Sequence, residues 1–253
     1  MAYGVSAVFI FLVITQSATT VPLQFLQQVQ GYRPLQSNLI TLEIALAQLA
    51  LLPAVAFLLD FPRVDARVVN FVGLALMLTA CVGSSLVDYT WNRDQFFVWE
   101  AFQAVGQAMV VMSILMMATN SVRSPAEAPF VSALFNMPRA VAEAVGAWLL
   151  GLITRWRGSL HSDRIVDQIG QNRYSTVQGQ GVLPNFPTPL LPNGFPRTSN
   201  SLQTLGAAVQ QQVTVMTAAD TFLILGALTV FLMLVLLVLP VRTPPPRLLL
   251  ANR

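Results

Sequence analysis

Long apolar runs separated by short polar links make up most of this chain. Six runs stand out, over about Ala2–Phe25, Leu39–Leu59, Val68–Val87, Phe96–Met117, Val131–Ile153 and Ala218–Leu239. Each is close to the roughly 20 mostly apolar residues that an α-helix needs to cross a bilayer. Helix is the state such a setting selects, because backbone groups in hydrocarbon must be satisfied within the segment or by closing a barrel. A spanning barrel would alternate apolar and polar residues over segments of about 10 residues, and these runs do not alternate. The expected fold is an all-α membrane protein with six transmembrane helices.

The links are short, with one exception. Residues 27–38 contain the turn-forming Gly31-Tyr32-Arg33-Pro34, and residues 60–67 carry Asp60, Arg63, Asp65 and Arg67. Residues 88–95 are polar and include Tyr89 and Trp91, aromatic residues suited to interface depth. Asn120, Arg123, Pro125 and Glu127 lie in the link 119–130. The exception is Thr154–Thr217, where prolines at 184, 187, 189, 192 and 196 make a poor helix and a poor strand. Leu202–Met216 is mildly amphipathic and reads as a short surface helix. The expected organisation is five spanning helices over 1–153, a long extracytoplasmic Pro-rich loop over 154–217, a last span over 218–239 and a cytoplasmic tail over 240–253. Pro244-Pro245-Pro246 stop the last helix.

Composition sharpens this picture. Of 253 residues 55% are hydrophobic and 10% charged, against about 25% charged in a soluble domain. The net charge is +3 and every basic residue is Arg. The arginines are scattered singly through the links, with no basic stripe for nucleic acid. They set orientation instead: Arg63, Arg67, Arg123, Arg242, Arg247 and Arg253 fall on one side, Arg33 and Arg93 in the short links opposite. The positive-inside bias then places both termini in the cytoplasm, with Arg155 and Arg157 running against it. Cys81 is the only cysteine and sits in an apolar run, so no intrachain disulfide can form. One His and one Cys leave no structural zinc site. The absence of Lys removes the P-loop lysine and Schiff-base chemistry. No cofactor or metal is expected. The first run has no positive leader and is too long for a signal-peptide core, so it reads as a true span. A span beginning directly after Met1 is what a chain cut from something longer would show.

Polar residues inside the spans need a reason, since an ionisable group at the middle of a spanning helix costs roughly 2.5–3.5 kcal/mol on insertion scales. Glu43 is either a protonatable or cation-binding carboxylate facing a cavity, or a neutral Glu bonded to a neighbouring helix. Arg139 and Glu143 are four apart and share a helix face. They are either an intrahelical pair or a cavity-facing Arg whose field the Glu tunes. Gln103 and Gln107 also share a face, either as glue between helices or as substrate contacts. Ala140, Ala142, Ala144, Gly146, Ala147 and Gly151 mark close helix packing by small-residue spacing. Ser159, His161 and Asp163 are triad residue types, but neighbours in sequence do not make a triad, which is defined by geometry.

Several stretches in order resemble a known family. Leu134-Phe135-Asn136-Met137-Pro138-Arg139, closed by Gly146, is similar to the Asn-x-x-Arg…Gly helix of the fourteen-helix drug–proton antiporter branch of the major facilitator superfamily, the EmrB/QacA type. Residues 23–32 (LQFLQQVQGY) resemble the end of its ninth helix, and Phe102-Gln103 the start of its twelfth. Arg157 and His161 resemble the Arg-x-x-x-His that opens its long outer loop. Gln210-Gln211-Gln212-Val213 with Ala219-Asp220-Thr221-Phe222 resemble the approach to its last helix. The likeness covers nearly the whole chain and corresponds to the last six helices. Two departures stand out: Ala142 and Glu143 replace a usual Gly pair, and Ala56–Phe61 keeps Asp60 but loses the basic partners of the cytoplasmic link.

The resemblance implies a multi-pass protein of the cell membrane, the inner membrane in a bacterium, built as the C-terminal half of a major-facilitator-type fold. It implies proton-coupled efflux of small organic or drug-like molecules, with Asn136 and Arg139 joining Glu43, Gln103, Gln107 and Glu143 as cavity candidates. The implied partners are the lipid bilayer, the substrate, protons, and either a missing N-terminal transporter half or a second copy. In the family the coupling carboxylate belongs to that missing half. The competing reading is a non-transporting scaffold or assembly subunit derived from a transporter half. A membrane-embedded enzyme comes third, since no His, Cys or paired carboxylates cluster at one depth.

Overall fold

A computed structural model describes residues 2–61, 63–119, 128–171 and 199–238, with side chains described at all of these except 2–6, 16, 118–119, 128–132, 134–140, 169–171 and 199–202. The described residues form helices α1 (Ala2–Gln28), α2 (Pro34–Ser37), α3 (Leu39–Leu59), α4 (Ala66–Ser84), α5 (Arg93–Thr119), α6 (Ala128–Gln171) and α7 (Ser199–Val238), and no strand.

Local chemistry sets several of the ends. After α1 the chain turns through Gly31 at φ +67°, and Tyr32 N donates to Leu26 O at 3.0 Å. This is the glycine-closed helix end that satisfies an orphaned carbonyl. Pro34 then opens α2, where its missing N–H costs nothing. Asp65 caps α4, its Oδ1 accepting from Arg67 N at 3.0 Å. At the start of α5, Gln95 Oε1 accepts from Asn92 N at 2.8 Å. Threonine hydroxyls inside the helices donate to their own helix, as Thr79 does to Ala75 O and Thr229 to Leu225 O, each at 2.9 Å. Such bonds spare the hydroxyl a separate partner in an apolar setting.

Five helices are long and apolar enough to cross a membrane: Ala7–Gln28, Pro34–Leu59, Ala66–Ser84, Arg93–Met117 and Gln203–Val238. The described residues are thus all-helical outside the turns and links, and the five helices make this a multi-pass membrane protein by length and composition. The crossing expected over Val131–Ile153 falls on α6, which is not one of these five. Its 44 residues at 1.5 Å each extend about 66 Å, twice the hydrocarbon core of about 30 Å. The 40 residues of α7 give about 60 Å. Both therefore project well past a bilayer. Residues 154–171, read from sequence as loop, continue α6, and the helix expected over Leu202–Met216 is present but runs on without a break into the last span as part of α7. The Pro-rich stretch 183–197 and the tail 240–253 lie outside the described residues.

The links alternate between two ends of the bundle. At the distal end, Gln30 Nε2 of the α1–α2 turn donates to Tyr89 O at 2.6 Å, and Gln211 Nε2 of α7 donates to Val29 O at 3.1 Å. At the opposite, proximal end, Arg67 Nη2 at the start of α4 donates to Leu236 O of α7 at 2.9 Å. Pro240, four residues beyond Leu236, has no N–H to offer that carbonyl, and the arginine supplies a donor instead.

Packing has an internal symmetry. α5 lies against α3 and α4, while α1 lies against α6 and α7; α1 also meets α5, and α4 meets α7. Exchanging α1, α3 and α4 with α5, α6 and α7 reproduces each of these pairs. The exceptions are α6 against α7 and, weakly, α6 against α5, which have no equally close counterparts in α3 against α4 and α3 against α1. α3 and α6 thus occupy opposite flanks, α6 the more enclosed of the two. Each leaves a face open: Leu42, Leu46, Leu49 and Phe57 on α3, and Val141, Trp148 and Leu152 on α6.

Two glycines draw α4 and α5 together. A Cβ on Gly106 would stand 2.7 Å from Gly73 O and 2.7 Å from Met77 Cγ, and one on Gly73 would meet Met109 Cβ at 2.8 Å. Gly106→Ala should therefore lower stability by about 1–3 kcal/mol, the usual cost of overpacking. Gly151→Ala, where nothing lies within 4 Å, should be close to neutral. Thermal unfolding of the two variants in detergent compares them; equal, small effects would mean that the helices are not in contact there.

Candidate functional site

Two apolar clusters occupy the ends of the bundle. The distal one gathers Phe25, Leu26, Phe96 and Phe222, with Phe25 and Phe96 ring centroids 5.6 Å apart. The proximal one gathers Phe11, Ile14, Leu74, Met77, Val110 and Leu232. Ala18, Cys81 and Leu225 form a small cluster of their own, and the largest buried polar side chains lie on α5.

That polarity lies on one face of α5. Glu100, Gln103 and Gln107 follow at three- and four-residue steps, and all are buried, at 3%, 2% and 6% exposure. Gln107 Oε1 accepts from Gln48 Nε2 of α3 at 2.8 Å. Both amide atoms of Gln103, Oε2 of Glu100 and Nε2 of Gln107 have no hydrogen-bond partner among the described residues. Glu43 of α3 is half-buried and acts on Glu100 electrostatically, carboxylate against carboxylate. Its Oε2 is buried and also lacks a hydrogen bond. Of the residues singled out from sequence, Gln107 thus meets α3 through Gln48, Glu43 faces Glu100 from α3, and Gln103 borders a space shared with α1, α4 and α7. Glu143 lies on the exposed side of α6. Asn136 and Arg139 are on the same helix, but their side chains lie outside the described residues.

Glu100 was not singled out from sequence. The signal was its position one turn before Gln103, but Arg93, Asp94 and Gln95 just ahead make the start of α5 look like a polar helix end rather than a buried site.

A second polar constellation joins α6 to α7. His161 Nε2 lies 2.6 Å from Asp220 Oδ2, and Arg157 Nε lies 2.9 Å from the same oxygen. The Arg157 N–H does not align with that oxygen, so the contact is an ion pair rather than a directed hydrogen bond. Arg157 and His161 share a face only because α6 continues through them; read as a loop, they lost that relation. Ser159 Oγ donates to Trp156 O at 3.0 Å and is not part of this cluster, so the geometry of a nucleophilic triad is absent here. Beside the cluster, a cavity of about 90 Å³ opens between α1, α6 and α7, bordered by uncharged polar groups including Gln24, Gln28, Gln210 and Thr217.

No group of three His, Cys, Asp or Glu among the described residues could hold a metal ion. No family model matches this chain, and no curated protein matches it.

Proposed function

We propose that this chain is one helical bundle of a secondary transporter, working with a second bundle to export small organic molecules in a process driven by a proton gradient. The observation that carries the reading is the exchange symmetry of the packing. Transporter bundles of this kind are built from two three-helix repeats of inverted topology, and a pairing of helices that survives the exchange of α1, α3, α4 with α5, α6, α7 is what such repeats would give. In this reading α6 supplies the sixth crossing and both termini are cytoplasmic. Support also comes from the flanks. α3 and α6 occupy opposite flanks and each leaves an apolar face uncovered. The buried amides and carboxylates on α5 and α3 supply polarity near the middle of the bundle, at the depth where such proteins bind substrate.

The second bundle should cover the open faces of α3 and α6. Cys81 is the only cysteine and is buried, so Cys81→Ala provides a clean background. In it, Leu46→Cys on α3 and Trp148→Cys on α6 should cross-link in native membranes to a second copy or another membrane protein. Val72→Cys on α4 and Leu234→Cys on α7, also exposed, should remain in lipid and should not. Equal cross-linking at all four positions would remove the support for a paired bundle.

A further inference from the structure

We propose that Glu100 and Gln103 form a buried binding site for one small monovalent cation, a proton or Na⁺, inside this bundle. Glu100 Oε2 and both amide atoms of Gln103 are without hydrogen-bond partners, although these side chains are only 3% and 2% exposed. They border a cavity of about 10 Å³ together with Ala18 of α1, Cys81 and Ser84 of α4, and Phe222 of α7. That is about the space of a single water-sized sphere, too small for an organic molecule. Trp99 closes it from the α5 side by packing directly on Gly83, where any side chain would collide with the indole.

The charge balance within this space favours a cation. No Arg or His borders the cavity, and the chain has no Lys. The charged or titratable groups facing Glu100 are the Cys81 thiol from α4 and Glu43 from α3, and α1 and α7 contribute only Ala18 and Phe222. Asp220, the acidic residue of α7 nearest in sequence, is held by Arg157 and His161. An ionised carboxylate buried without a partner is strongly unfavourable, and a second carboxylate nearby makes it more so. A bound cation resolves both. Gln103 Oε1 offers a neutral oxygen to complete its surroundings. A divalent ion fits poorly, since Glu100 is the only carboxylate among the described residues bordering the cavity and would leave a charge uncompensated there.

The site deepens the transporter reading, because coupled transport needs a coupling ion, yet cation binding is measurable without transport. The test uses the full chain purified into nanodiscs, with two probes. The first is saturable binding of ²²Na⁺ at constant pH. The second is the infrared band of a protonated carboxyl group in a pH series without Na⁺. One of the two signals is expected in the unaltered protein, and which one appears separates Na⁺ from the proton. The signal should be lost in Glu100→Gln, which keeps the shape, and survive in Asp94→Asn on the exposed start of α5. Gln103→Leu should weaken Na⁺ binding, or alter the carboxyl band's pH dependence, by on the order of tenfold. Neither signal in the unaltered protein, or a signal that persists in Glu100→Gln, overturns the site. Should Glu100→Gln not fold, the unaltered protein and Gln103→Leu decide the matter. A protein that binds the cation but carries no flux would keep the site and reject the transporter reading.

Discussion

Asp220→Asn should lower the stability of the protein by about 1.5–3 kcal/mol, the range for hydrogen bonds to charged groups. The carboxylate of Asp220 is largely enclosed, and a single oxygen, Oδ2, receives both His161 at 2.6 Å and Arg157 at 2.9 Å. Removing its charge leaves two cationic or polar groups of α6 facing a neutral amide. Breaking a buried pair costs more than the pair contributes, because the remaining partner stays desolvated. The partial exposure of Arg157 keeps the effect below that of a fully buried pair. His161→Asn should destabilise the unaltered protein but have little further effect once Asp220 is Asn. A double-mutant cycle measures this coupling; additive effects would mean that the two side chains do not act together. The change should separate the projecting parts of α6 and α7 first, and hydrogen exchange along residues 155–165 should report the loosening.

Much of this architecture is legible in the sequence because a bilayer leaves few options. A run such as Leu39–Leu59 can satisfy its backbone only as a helix, and α3 has those bounds. The buried pair Gln103 and Gln107 is legible for a similar reason: four-residue spacing in an apolar run places both amides on one face. Outside the hydrocarbon the same logic fails. Thr154–Gln171 is polar, with Arg155, Arg157, Gly158 and Ser159, and nothing in its composition demands helix. Its helix is held by packing of α6 on α7 and by the contact with Asp220, a residue some sixty positions away. Only tertiary structure reveals such a partner. Glu100 escaped for a different reason. Its burial depends on Trp99 lying over Gly83 and on α1 and α7 closing around α4, and none of these is a local property of α5. Gln27, Gln30 and Gln211 likewise have partners that only the fold reveals: Gln27 Nε2 donates to Ser37 Oγ at 2.9 Å, and the other two tie the distal links together.

A single copy of this chain should carry no substrate across a membrane. Alternating access needs two bundles moving about a site between them, and the packing here completes one bundle with α3 and α6 open on its flanks. On the transporter reading a lone bundle would form only one wall of the route, so the expected effect is complete absence of flux rather than a slower rate. The measurement that bears most directly on this is made with purified chain reconstituted in liposomes at a known oligomeric state, under an imposed pH gradient, with uptake of lipophilic cations followed over time. The account predicts no gradient-dependent uptake from monomer, and uptake only when a second copy or a partner bundle is present. Robust gradient-dependent uptake from a demonstrated monomer would contradict it.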